Sequence, residues 1–338
     1  MEQLLEVEHL SIHFPTYAGK VQAVRDISFS LGQAETLAIV GESGCGKSVT
    51  ARAIMGLTRQ TMGVVSPESA IRFKGQNILT YTQNEWQAYR GGSCGIVFQD
   101  ALASLNPTMK AGRQISENIT NHKKVSPAEA KLEAIRLLRA VGLSNPEKRY
   151  HQYPHEFSGG MRQRVMIALA LACRPKILIA DEPTTALDVT TQAQILDILK
   201  QLQREMGMSI IIITHDLGVV AGMAKRVLVM YGGQVVEEGT SDQLFFETRH
   251  PYTLALLKSA PRMDLACGQE LASIEGNPPP LIDPPQGCPF SPRCKYCMNI
   301  CKRRRPERFS FGDTHKVACW LYHPDAPKVT LEEEAPLV

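Results

Sequence analysis

Residues 4–14 (LLEVEHLSIHF) and 23–31 (AVRDISFSL) alternate apolar and polar positions, the period of a strand with one buried face. TLAIV at 36–40 is almost wholly apolar, which suits a strand covered on both faces. It runs into GESGCGKS (41–48), after which SVTARAIMGL (48–57) has helical spacing. Residues 101–164 are predicted to be mostly helical, and AEAKLEAIRLLRAVGL (128–143) carries a glycine near its end, a common stop signal. KILIAD (176–181), QAQILDILKQLQREMG (192–207) and SIIIITHD (209–216) then read as strand, helix and strand. Apolar strands alternating with helices predict an α/β fold, a parallel sheet with helices on both faces. The pattern changes after about Pro261: residues 276–292 hold seven prolines, and the basic run KRRRPER (302–308) follows. The expected division is a main domain over 1–258, with a helical subdomain at about 101–164 inserted in it, and an extension over 259–338.

Composition narrows the class. Of 338 residues, 43% are apolar and 21% charged, ample for a core. Thirty-seven basic against 34 acidic side chains leave a formal charge of +3, too even to indicate a nucleic-acid binder. MEQLLEVEHL carries acids where a signal peptide would be basic. The strongest apolar runs, VMIALALAC (165–173) and SIIIIT (209–214), fall short of the roughly 20 residues that span a bilayer. The expected location is therefore cytoplasmic, or at a membrane through partners. Nine cysteines in a reducing compartment suit metal binding or burial better than disulfides.

Strand, GESGCGKS and helix together make a P-loop in its required context; a chance glycine-rich turn would lack the flanking elements. Gly41, Gly44 and Gly46 let backbone amides turn toward an anion, and Glu42, Ser43, Cys45 and Val49 complete the cradle. Lys47 supplies charge for β- and γ-phosphates, and the Ser48 hydroxyl can ligate Mg²⁺. ILIADEP (177–183) ends an apolar strand in two carboxylates: Asp181 is placed to hold Mg²⁺, Glu182 to orient or deprotonate water. Alone, that pair could be a solvated strand end. EFSGGMRQR (156–164) offers a second anion-binding surface, a serine and two glycines at the start of a helix.

With these three motifs the sequence resembles the ATP-binding cassette (ABC) family over about residues 5–258. Phe157-Ser158-Gly159-Gly160-Met161 looks like the signature motif, with Phe for the usual Leu and Met for the usual Gln. The resemblance implies an ABC-type P-loop ATPase with an antiparallel β subdomain and further site residues. Gln99 would be the Q-loop glutamine reaching metal and water, Asp188 the D-loop aspartate, and His215 the switch histidine. Tyr17, or alternatively Phe14, would stack on adenine. ATP would lie between the P-loop of one chain and Ser158, Gly159 and Gly160 of another. DNA-repair members carry long coiled coils where this chain has 64 residues (101–164), and translation-factor members carry two cassettes. A transporter ATPase fits better, with DALASLNPTM (100–109) beside a groove for the membrane subunit.

The tail, RHPYTLALLKSAPR (249–262) and NPPPLIDPPQGCPFSPRC, resembles bacterial oligopeptide/dipeptide importer ATPases. That implies a paralogous ATPase partner, two transmembrane permease subunits, an extracellular or periplasmic peptide-binding protein, no nucleic acid, and a peripheral place at the cytoplasmic membrane face. Related nickel importers tend to lack the extension, which tilts the cargo toward peptides. Cys288, Cys294, Cys301 and Cys319, with five, six and seventeen residues between them, match the family's cysteine positions. The resemblance implies a 4Fe–4S cluster there, with Zn²⁺ or free thiols as alternatives. Cys297 is additional, and Cys173 and Cys267 read as structural. KRRRPER would offset cluster charge or form a solvated face.

Overall fold

A computed structural model of the chain describes residues 3–185, 187–259, 274–329 and 331, and divides into two compact units, each drawn from several stretches of sequence. Cys267 lies outside the described residues.

The bulk of the first unit is residues 72–213. Its parallel strands Cys94–Val97, Ile177–Asp181 and Ser209–Thr214 pair with Cys94 opposite Ile177 and Ile177 opposite Ser209. Every residue of the last two is buried, as their unbroken apolar sequences require. The helix Val189–Met206 buries Ile195, Leu199 and Leu202, one stripe at helical spacing, and stops at Gly207 in left-handed conformation. The helical segment holds Ala111–His122, Pro127–Ala140, Pro146–Tyr150 and Gly159–Ala170. Pro127–Ala140 begins with a reciprocal Ser126–Glu129 capping box and a proline in its first turn, and buries Ala130, Ala134, Leu137 and Leu138. A helix at Gln83–Gly92, with its own Thr82–Glu85 box, has no counterpart in the hydrophobic pattern.

The second unit comprises residues 6–29, 37–71 and 214–338. Its strand Arg226–Tyr231 pairs in parallel with Thr36–Val40 and antiparallel with Gln234–Thr240. His315–Val317 joins the far edge of Gln234–Thr240, and Phe309–Phe311 pairs with His315–Val317, so the extension adds two short strands to this sheet. The long strands Gln3–Thr16 and Gly19–Gly32 are neighbours in a second sheet, where Ile12 and His13 face Val65 and Val64 of an antiparallel partner.

The proline-rich stretch has little apolar material, and backbone contacts dock it: Gln22 N–H donates to Leu281 O at 2.7 Å, and Arg25 Nη2 to Pro285 O at 3.0 Å. The basic run divides in two. Lys302, Arg303 and Arg304 are exposed, whereas Arg305 pairs with Asp26 at 3.1 Å and Arg308 donates to Ser28 O at 3.2 Å. Strand Gly19–Gly32 offers those acceptors, so two of the arginines serve as docking groups. Among the described residues no helix is long and apolar enough to cross a membrane.

Candidate functional site

In the second unit the strand Thr36–Val40 ends at Gly41, where the backbone takes φ 148° and a Cβ would lie 2.1 Å from Met230 O. Gly46, at φ 103°, caps the helix Lys47–Ile54, and a Cβ there would meet Ala23 O at 2.4 Å. Only glycine fits either position. Between them Ser43 and Gly44 are exposed and Cys45 is buried. Lys47 is 5% exposed, and its Nζ donates to Gly41 O at 2.7 Å and Glu42 O at 2.9 Å. A positive charge is thus fixed in a loop that opens onto a helix N-terminus, an arrangement that receives phosphate. Burial raises the Cys45 thiol pKa although Lys47 pulls against it, so Cys45 is a small packing residue. Ser48 and Val49 open the helix, half-buried. Tyr17 is fully exposed at the turn between the long strands. Phe14 is only half-buried, and a Cβ on Gly63 would fall 2.9 Å from its ring. His215 is exposed at the end of strand Ser209–Thr214.

In the first unit Asp181, 5% exposed, is the last residue of its strand. Glu182 follows at φ 48°, a left-handed conformation that costs a non-glycine residue of order 1 kcal/mol and is held here by bonds. Its N–H donates to Ile213 O at 2.8 Å, and its Oε2 accepts from Gln99 Nε2 at 2.9 Å and from Thr185 Oγ1 at 2.9 Å. Gln99 and Glu182, 83 residues apart, are therefore brought together. Thr185 was not singled out in the sequence; its only signal is a hydroxyl three residues past a strand-end carboxylate.

Ser158 is exposed and caps the helix Gly159–Ala170, its Oγ accepting from Met161 N at 3.4 Å. Gly159 is exposed, while Phe157 anchors the segment in the core. Gly160 faces Thr191, whose Cγ2 would lie 2.7 Å from an added Cβ. Thr191 is in turn held by Asp188, which accepts from its N–H at 2.9 Å and its hydroxyl at 2.7 Å while capping Val189–Met206. These hydrogen bonds, the side-chain one foremost, lower the Asp188 pKa.

Cys288, Cys301 and Cys319 are buried, and Cys294 is half-buried. Gly287 is required beside Cys301, whose O would be 2.0 Å from a Cβ, and Cys288 N–H donates to that same oxygen at 2.7 Å. Burial first, and then neighbouring cysteines, push the Cys288 thiol up to about 12 and Cys294 up to about 11, and raise Cys319 as well. The four thiols are near enough to influence one another, yet among the described residues no three His, Cys, Asp or Glu side chains converge on a point that could hold one metal ion. Cys297 turns its thiol to Met298 O at 3.6 Å, and buried Cys173 directs its own to Asn118 O at 3.6 Å.

Loop, strand-end carboxylate and capped serine define a P-loop ATPase of the ABC class. Residues 24–185 match the ABC transporter family model, and 236–301 match that of the oligopeptide/dipeptide transporter C-terminal region. The oligopeptide transport ATP-binding protein OppD of Bacillus subtilis (strain 168) is 54% identical over 97% of this chain and 91% of its own length. The dipeptide transport ATP-binding protein DppD of the same organism is 50% identical over 99% of both. Among solved structures, the ATP-binding cassette MJ0796, in a dimeric post-hydrolysis state bound to ADP and Pi, has a TM-score of 0.63 at 26% identity, covering 70% of this chain and 98% of that one. The chain belongs to the ABC transporter family, among the ATP-binding proteins of its oligopeptide/dipeptide branch.

Proposed function

We propose that this chain is the ATP-hydrolysing subunit of a bacterial importer of di- or oligopeptides. It dimerises with a second, similar ATPase and works with two transmembrane permease subunits and an extracellular or periplasmic peptide-binding protein. It sits peripherally at the cytoplasmic membrane face. Oligopeptide and dipeptide relatives are similar to it at nearly equal identity, so either cargo length is consistent with the family.

The observation that carries hydrolysis is the constrained Glu182 carboxylate, held by Gln99 and Thr185 at a strained backbone position. Lys47 and the loop amides of Gly41–Ser48 bind the β- and γ-phosphates, and Tyr17 stacks on adenine. Ser48, Gln99 and Asp181 would hold Mg²⁺, which neutralises developing phosphate charge when bound. Glu182 orients and deprotonates water, and His215 contacts the γ-phosphate. Ser158, Gly159 and Gly160, exposed or half-exposed at a helix N-terminus, cap the nucleotide of the other subunit, with Asp188 fixing their neighbour Thr191. Closure on ATP and opening after hydrolysis drive the permeases. Glu182→Gln should lower turnover about 100-fold or more while leaving ATP binding intact and trapping a closed dimer seen by size-exclusion chromatography. Normal turnover in that variant removes Glu182 as the base.

The extension has its own reading: Cys288, Cys294, Cys301 and Cys319 hold a 4Fe–4S cluster in preference to Zn²⁺. Four cysteines gathered in one stretch of the extension, three buried and one half-buried, are the support for this reading. When bound, the cluster supplies a cross-link to a segment with little core of its own. Anaerobically purified protein should be coloured and contain iron and sulfide; colourless protein with the extension folded would refute this.

A further inference from the structure

Arg293 lies inside the cysteine-bearing stretch, next to Cys294, yet its side chain is only 5% exposed. Its Nη1 donates to Glu42 Oε2 at 2.8 Å and to Tyr231 OH at 3.0 Å. Its Nε donates to Glu275 O at 2.9 Å and its Nη2 to Ile274 O at 2.8 Å. A guanidinium this buried is costly unless its donors are met, and here each of its three nitrogens is. Glu42 is the second residue of the phosphate loop. Its N–H donates to Tyr252 OH at 2.9 Å, and its carbonyl is one of the two that hold Lys47 Nζ. Tyr252 packs on Tyr231 and Phe290 with ring centroids 4.4 and 5.4 Å away, and Phe290 belongs to the same stretch as Arg293.

The glycines alone let the loop adopt its shape, but they do not select it, because glycine is free to adopt others. A loop with an anchored backbone N–H and an anchored side chain at position 42 loses less freedom when it closes on phosphate, and preorganisation of this kind raises affinity. We propose that Arg293 is a positioning residue for the phosphate loop: through Glu42 it fixes the backbone on which Lys47 rests, so that the cysteine-bearing extension sets the affinity for nucleotide. This rests on residues 41–48 being the ATP site.

The test is titration of the full chain with a fluorescent ATP analogue, alongside ATPase kinetics. Arg293→Met and Glu42→Gln should each weaken binding about tenfold, the size expected when the charge assistance between the two side chains is lost. The rise in KM should exceed any fall in kcat at least about fivefold, since the bond acts on binding rather than on the transferred group. The double variant should bind no worse than the weaker single one, because the two residues act as a pair. Arg293→Lys, which keeps a charge for Glu42, should recover part of the affinity. If Arg293→Met does not fold, Glu42→Gln decides, as it leaves Arg293 its other three bonds. Unchanged nucleotide affinity in Glu42→Gln, or additive losses in the double variant, overturns the proposal. Lys47→Ala separates the two levels: if it too leaves affinity unchanged, the ATP-site assignment itself fails.

Discussion

The phosphate loop and the cysteine-bearing stretch both hold backbone in shapes that neither helix nor strand imposes, and they do so by opposite means. The loop is six residues, 41–46, between a buried strand and the helix that Lys47 opens. Its form follows from local rules: glycines where φ is positive and where carbonyls of Ala23 and Met230 leave no room for a Cβ. The cysteine stretch is longer, and Gly287 is the one glycine within it that close approach requires. Its shape depends on distant partners: Gln22, Arg25 and Asp26 on one strand, Glu42 and Tyr231 near the loop. A locally determined site is legible in a short word of sequence and fails when one atom is added. A site determined at long range is spread over many weak contacts and fails gradually.

The sharpest break of that comparison is Gly41→Ala. The added methyl would sit 2.1 Å from Met230 O at a φ that L residues rarely adopt. We expect a loss of about 3 kcal/mol in stability and at least about tenfold in ATP affinity, read by denaturant unfolding and titration. Wild-type binding in this variant would mean that the loop is far softer than its contacts imply.

Next in size is a pH effect at the helix Pro251–Lys258, which carries Tyr252 between the two regions. His250 is 1% exposed, and its Nδ1 accepts from Tyr252 N–H at 3.0 Å. Burial pushes its pKa down to about 4, although Glu237 pulls it up. The unfolded chain takes up this proton near pH 6.5 and the folded one does not, so stability is full above 6.5 and falls as pH drops from 6.5 toward 4. At pH 5 the loss should reach about 2 kcal/mol, measurable as a lower midpoint of thermal unfolding. His250→Asn, which keeps a helix-capping acceptor, should flatten that slope. An equal slope in the variant would assign it to other groups.

The smallest effect belongs to the docking arginines. Arg305 and Asp26 form a partly exposed ion pair, so Arg305→Ala should cost about 0.5 kcal/mol and leave ATP turnover within error. A large loss would show that the extension hangs on one contact rather than on many.

Legible in the chain alone were the buried strands 36–40, 177–181 and 209–214, the helices that follow the first two, and the phosphate loop, because each is encoded by neighbouring residues whose periodicity or conformational freedom leaves one local answer. Glu182 and Ser158 stood out by their motifs, whereas Gln99 and Asp188 were recognisable only through family resemblance. Tertiary structure alone decided that Gln99 bonds Glu182 across 83 positions, that Thr185 completes their contact, and that Asp188 spends its carboxylate on Thr191 against Gly160. It decided as well that Arg305 and Arg308 reach a strand some 280 residues earlier, and that Arg293 reaches Glu42. Such pairings carry no period and no composition of their own. They follow from which surfaces the packed elements bring within 3 Å, a property of the folded chain that no short window of sequence contains.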